Sequence, residues 1–206
     1  MNKNLTLTER KRAAIIDAAI LEFREKGFQS TSMDALAARA EVSKRTVYNH
    51  FASKELLFQE LVQQMFEVAC ASDAFVYDED TSLKEQLVRF GHHKLELLQS
   101  QRFLDLARIL MVECVHDPKL ADEARQRFEQ SDQGLDKWIE KAISDGRMKP
   151  VEPAYAANQF FGLIKASAFW PQLLMNQPFP DTQAAEFIIH DTVEMFLSHY
   201  EKAGTN

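Results

Sequence analysis

The run VSKRTVYNHFASK, Val42 to Lys54, gathers hydrogen-bond donors that no carboxylate interrupts. A helix turns about 100° per residue, so Val47 and Phe51, four apart, share one face and pack inward. The opposite face then carries Arg45, Thr46 and Asn49, with Lys44, Tyr48 and His50 on its shoulders. Such a surface suits the major groove of duplex DNA. The groove admits one helix and offers acceptors on base edges and on the flanking phosphates. Arg45 can fork onto guanine and Asn49 onto adenine, while Lys44 can reach a base or a phosphate. Tyr48 and His50 suit flanking phosphates. Lys54 and Ser32, each at the start of a further helix, and Ser43, which caps this one, complete the set through backbone N–H groups and the helix dipole.

Charge is distributed to match. The 206-residue chain has a formal net charge of −7, yet residues 1–54 carry 10 Lys/Arg against 6 Asp/Glu, +4, and the rest 14 against 25, −11. A basic first quarter on an acidic body predicts an anionic partner met at one end.

Elements that position this run follow from periodicity. Apolar residues recur at three- and four-residue steps and period-2 runs are scarce, which predicts an all-α protein. A first helix is expected from about Thr8 to Lys26, with Thr6 and Glu9 at capping-box spacing, Ile15, Ala18, Ala19 and Phe23 inward, and Gly27 as its stop. Ser32 caps a short second helix ending near Ala40, Ser43 caps a third over Lys44–His50, and Ser53 caps a fourth from Lys54. Two short helices joined by a tight turn between longer ones make a helix-turn-helix. Residues 73–82 read as a loop. Later helices are expected over Ser82–Gln99, Arg102–Val115, Pro118–Asp145, Pro153 to a break at Pro171, and from an Asp181 cap to Tyr200. The architecture is an N-terminal three-helix module, residues 1–53, and a larger C-terminal helical bundle, residues 54–206, with about nine helices in all.

Other chemistries find little support. Cys70 and Cys114 fit no metal or redox spacing and read as buried reduced thiols. His92 and His93 are adjacent and point about 100° apart, so they make poor joint ligands for one metal. No nucleophile–base pair, phosphate loop or dinucleotide fingerprint occurs, so neither an enzyme nor a cofactor is expected. The polar N-terminus is no signal peptide, and Gln159–Met175, broken by Lys165 and Pro171, is too short to span a bilayer. A cytoplasmic protein without a membrane role is therefore expected.

The run STSMDALAARAEVSKRTVYNHFASKELL resembles the DNA-binding segment of TetR-family transcriptional regulators. Ala37, Ala40, Val42, Ser43, Thr46, Tyr48, His50, Phe51, Lys54, Glu55 and Leu57 fit that family's pattern. Phe161 to Leu174 is similar to the C-terminal domain of an AefR-like branch. There are two departures: Glu41 stands where the family usually has a turn glycine, and Arg45 where it often has a small residue. The resemblance implies a homodimer on a palindromic operator, a small-molecule effector sensed in the C-terminal domain, and a lever helix, here Lys54–Ser72, that changes the separation of the two readers. Candidate effector contacts are Phe66, Phe103, Leu110, Cys114, Trp138, Phe161, Phe169 and Trp170, with Asn158, Gln159 and Lys165 as polar anchors. Candidate dimer contacts are Phe160, Ile164, Ile189, Val193 and Phe196. The expected output is repression relieved by a largely apolar effector. A helical small-molecule carrier with a vestigial DNA-binding module is the competing reading.

Overall fold

The structure is a computed structural model that describes residues 6–70, 75–131 and 133–202. The described residues are all-α. The first half comprises α1 (Leu7–Lys26), α2 (Met33–Arg39), α3 (Lys44–His50), α4 (Lys54–Cys70) and α5 (Leu83–Gln99). After it come α6 (Gln101–His116), α7 (Pro118–Ser131), α8 (Gln133–Ser144), α9 (Pro153–Ala168), α10 (Trp170–Met175) and α11 (Thr182–Tyr200). The helix expected over Pro118–Asp145 is described on either side of residue 132, which lies outside the described residues. So do residues 73 and 74 of the expected loop and Ser72, the expected end of the lever helix.

The chain packs as two units. One is Met1–Phe66 with Asp105–Ala124, the other Glu67–Leu104 with Arg125–Asn206. Helices α4, α6 and α7 each have residues in both.

In the first unit, the capping box of α1 is in place. Glu9 N–H donates to the Thr6 hydroxyl at 3.2 Å, and Thr6 N–H donates to the Glu9 carboxylate at 2.7 Å. Those bonds hold the Glu9 carboxyl below its ordinary pKa. Gly27 ends α1 at φ 80°, a backbone that L side chains rarely adopt. Ile15, Ala18, Ala19 and Phe23 are buried, as is Leu36 from α2. Phe28 packs its ring 5.2 Å from Phe23 and 5.0 Å from Phe58 of α4.

The second unit is built on α5, α9 and α11, with α8 and α10 against α9. Helices α5 and α11 cross closely because Gly91 has no side chain. A Cβ there would lie 2.9 Å from Ile189 Cγ2. Around the crossing Phe90 packs on Phe160 and Phe161, and Phe160 on Phe196. Pro171 lies in the first turn of α10, where its missing N–H costs nothing, so the apolar segment breaks at Phe169.

A polar hub closes this core. Gln86 is fully buried, and its carbonyl accepts from the Trp138 indole N–H at 2.9 Å and from Asp78 N–H at 2.9 Å. Its amide donates to the carbonyls of Asp78 at 2.7 Å and Thr81 at 2.9 Å. Arg147 adds donors to the carbonyls of Glu79 and Thr81, at 3.2 and 2.9 Å. The segment after α8 then pairs with the end of α11: Lys149 N–H donates to Tyr200 O at 2.8 Å, and Lys202 N–H to Arg147 O at 2.9 Å. Among the described residues no helix is long and apolar enough to cross a membrane.

Each buried group left without its partner costs about 1–3 kcal/mol. Gln86→Leu strands an indole N–H and a backbone N–H at once, while Arg147 still donates to the carbonyls of Asp78 and Thr81. A loss of about 3 kcal/mol or more is expected, read as a fall in melting temperature of roughly 6–12 °C.

Candidate nucleic-acid interface

Helix α3 begins where Ser43 supplies an oxygen. Its hydroxyl accepts from Thr46 N–H at 3.1 Å and lies 2.8 Å from the Thr46 hydroxyl. Seven residues later the backbone turns extended at Phe51. Val47 and Phe51 are buried, which fixes the face the helix turns inward. Outward lie Lys44, Arg45, Tyr48 and Asn49, all exposed, with Tyr48 at 45%. No side chain among the described residues holds Arg45 or Asn49. Thr46 and His50 are half-buried at the edges. Ser32 is exposed and caps α2, accepting from Ala35 N–H at 3.2 Å. The two serine oxygens are therefore already engaged as caps.

Lys54 corrects an expectation. Its ammonium donates to the carbonyls of Phe28 at 2.7 Å and Gln29 at 3.1 Å, and lies 4.5 Å from the centre of the Phe28 ring. At the bend after α1 the Phe28 carbonyl also accepts from Thr31 N–H at 3.3 Å, and the lysine adds a second, charged donor there. It braces that bend instead of standing free for a phosphate.

Sequence reasoning missed the ion pairs that tie α1 to α2 and α6, and α2 to α3. Glu22 is buried on α1 and meets Lys26 at 2.8 Å and Arg39 of α2 at 2.6 Å. The Lys26 bond, with Arg39 adding to it, holds the Glu22 carboxyl below its ordinary range against the opposing effect of burial. Arg39 also grips Glu25. Arg24 meets the buried Asp105 of α6 at 3.0 Å, and Gln29 donates to the buried Glu113 at 3.1 Å. Lys44 pairs with Asp34 of α2 at 2.7 Å. Glu22 had a signal: it falls between Leu21 and Phe23 in the apolar stretch of α1. The others join residues distant in sequence and had none.

The turn between α2 and α3 is strained at Glu41. Val42 N–H reaches back to Ala37 O at 3.1 Å and Ala40 N–H to Leu36 O at 2.9 Å, which forces Glu41 to φ 54°. This is the left-handed position that glycine takes at helix ends. For other L-residues it costs about 1–2 kcal/mol.

The remaining candidate residues divide as follows. Phe66 and Leu110 are buried in the first unit, and Cys114 is half-buried there. Burial, with Asp117 and Glu113 nearby, pushes the Cys114 thiol pKa up. The side chain of Cys70 lies outside the described residues. Phe103, Phe161, Phe169 and Trp138 are buried in the second unit, where Phe103 approaches Phe169 at 6.3 Å. Trp138 is plain core, its N–H bound to Gln86 and its ring against Phe75 and Tyr77. Trp170 is exposed at one edge of Phe169. Lys165 lies 5.2 Å from the Phe161 ring, and Gln159 bonds the hydroxyls of Tyr155 and Tyr200. Asn158 is exposed. An open cleft of about 380 Å³ lies between residues 149–155 and the end of α11; none of the candidates lines it, though Tyr155 and Tyr200, the partners of Gln159, do. His92 sits 3.5 Å from Glu186, and His93 is exposed. Among the described residues no group of His, Cys, Asp and Glu could hold a metal ion.

The dimer assignment is corrected. Phe160, Ile164, Ile189, Val193 and Phe196 are 0–3% exposed within the second unit, packed on one another and on Phe90 and Tyr200. Residues already removed from water in the single chain have nothing left to bury against a second. The apolar groups that the same helices leave exposed are Tyr155 on α9 and Phe187 and Met195 on α11.

The strained turn yields a stability prediction. Glu41→Gly releases the strain and pays part of it back in unfolded-chain freedom, for a net gain of about 1 kcal/mol and a melting temperature raised by roughly 2–4 °C.

Comparison with known proteins agrees with this geometry. Residues 15–61 match the model of bacterial regulatory proteins of the tetR family, and residues 85–202 match the C-terminal domain of AefR-like transcriptional repressors. A crystal structure of a TetR family transcriptional regulator from Pseudomonas syringae pv. tomato str. DC3000 is 43% identical, covers 96% of this chain and 100% of that one, and superimposes with a TM-score of 0.83. The flavonoid-responsive regulator FrrA is 30% identical over 95% of this chain and 100% of its own, with a TM-score of 0.73. An uncharacterized HTH-type transcriptional regulator of Mycobacterium bovis is 24% identical over 82% of this chain and 79% of its own length. An all-α chain with a helix-turn-helix of exposed donors, matched by both domain models over most of its length, belongs to the TetR family of DNA-binding transcriptional regulators.

Proposed function

We propose that this regulator is a repressor that binds a palindromic operator as a homodimer and leaves it when a small, largely apolar effector binds. In this reading residues 1–53 read DNA, and residues 54–206 sense the effector and dimerise. One observation carries it: Val47 and Phe51 are buried while Arg45, Tyr48 and Asn49 stand exposed on a single short helix. Seated in the major groove, Arg45 and Asn49 address base edges. Tyr48 and Lys44 lie where phosphates or neighbouring bases can be reached.

Dimerisation is supported by the exposed face of the last helices. Phe187 and Met195, two turns apart on α11, are 68% and 52% exposed. A Cβ at Gly162 of α9 meets nothing within 4 Å, so a second helix can approach closely there. Two-fold symmetry would present two copies of α3 to successive grooves. For the effector, the support is the aromatic residues Phe103, Phe161 and Phe169 of the second unit, with Trp170 at their edge, and the likeness to a flavonoid-responsive regulator. The effector releases DNA only to the extent that it prefers the released conformation.

Binding sites selected from random DNA test the reader. Arg45→Ala and Asn49→Ala should each relax preference at one position of the half-site, at about 1–3 kcal/mol, while Tyr48→Ala weakens selected and scrambled DNA alike. Equal losses on both DNAs for all three variants would contradict these roles.

The dimer is tested separately. Phe187→Glu with Met195→Glu should yield a folded monomer by sedimentation, and operator affinity should fall by roughly 10²-fold or more as the second half-site contact is lost. A dimer of unchanged affinity would refute this interface.

A further inference from the structure

Beside the array of donors a carboxylate is paired with one of them. Asp34, in the first turn of α2, holds the Lys44 ammonium with both oxygens, Oδ1 at 2.7 Å and Oδ2 at 3.1 Å. The two side chains are 65% and 59% exposed. An exposed ion pair of this kind contributes between nothing and about 1 kcal/mol to stability, so the fold does not require it. Its cost lies in function. A carboxylate beside the reading helix repels phosphates and cancels the charge of the lysine nearest the start of α3. A surface built only to grip the DNA backbone would have no use for it.

The pair does have a use in reading bases. A carboxylate bound by one ammonium keeps free acceptor sites on both oxygens, and the ammonium keeps at least one free N–H. Side by side they display an acceptor and a donor about as far apart as two neighbouring groups on a base edge. In the major groove a G·C pair shows the complement, the guanine O6 acceptor next to the cytosine N4–H donor. We infer that Asp34 and Lys44 act as one reading unit for a G·C pair, the carboxylate accepting from cytosine N4–H while the ammonium donates to guanine O6. Guanine N7 gives the ammonium a second acceptor, which separates G·C from T·A. The reversed pairs C·G and A·T place donor against donor and acceptor against acceptor, and are rejected. The hydrogen bond from Lys44 to Asp34 raises the lysine pKa. Asp34 thereby becomes a specificity-determining residue on α2, and the register between α2 and α3 becomes part of the code.

The inference rests on the reading that α3 enters the major groove, and the experiment separates the two. Sites are selected from random duplex DNA with the full-length wild type, Asp34→Ala, Lys44→Ala, and the exchange Asp34→Lys with Lys44→Asp. The wild type should select G·C at one position of each half-site. Either single variant should lose that preference roughly tenfold while the other positions stand. The exchange keeps an ion pair but inverts its order, and should select C·G at the same position. Asp34→Leu, of similar size but without an acceptor, should lose the preference too and serves if the exchange does not fold. If Asp34→Ala alters no selected position and tightens cognate and scrambled DNA by the same factor, Asp34 only offsets charge and the inference is wrong. If the exchanged protein still selects G·C there, the pair is merely a brace between helices. A wild type that selects no sequence overturns the docking itself, and this inference with it.

Discussion

A helix of seven residues does not hold itself together in water, because forming its first turn costs more than so few hydrogen bonds return. Helix α3 exists because Val47 and Phe51 are buried in the first unit. That burial does two things at once. It supplies the free energy the short helix lacks, and it fixes which face looks outward. Arg12 reinforces the placement, its guanidinium 5.2 Å from the Phe51 ring and 2.8 Å from Glu60 of α4. Everything proposed about DNA depends on that one choice of face. A rotation of α3 by a single residue, about 100°, would turn Arg45 and Asn49 away from their present arc.

The electrostatics follow the same division between inside and outside. In the first unit two buried carboxylates are ion-paired: Glu22 with Lys26 and Arg39, Asp105 with Arg24 and Arg108. They act as struts that fix α1 against α2 and against α6. The outward charges of α3 are free to change partners. Helices α4, α6 and α7 contribute residues to both units, and within the first unit α6 meets Arg24 of α1 through Asp105 and Gln29 through Glu113.

Much of this was legible in the sequence where local chemistry decides. Thr6, Ser32, Ser43 and Asp181 cap helices in the structure as their residue types and spacing predict. Positive φ at Glu41 followed from the position where relatives of the motif keep glycine. What depends on tertiary packing was not legible. An apolar stripe on α9 or α11 looks the same in sequence whether it covers the chain's own core or a second chain's surface. The residues chosen for the interface were the most regular ones, and regularity marked the protomer core. The Gln86 hub joins residues as far apart as Asp78 and Trp138, and no local pattern announces that a glutamine will sit fully buried. The bracing role of Lys54 was hidden for the same reason, since its partners lie on a bend about 25 residues away.

The central claim is that two copies of α3 occupy successive major grooves of one DNA duplex. Guanine N7 faces only the major groove, so protection of N7 from methylation across a bound operator reports that contact directly. The account predicts two patches of protection, related by the operator's dyad and centred one helical turn, about 10 base pairs, or a whole multiple of it apart. Bound DNA with a single patch, or with its guanines as reactive as in free DNA, would contradict it.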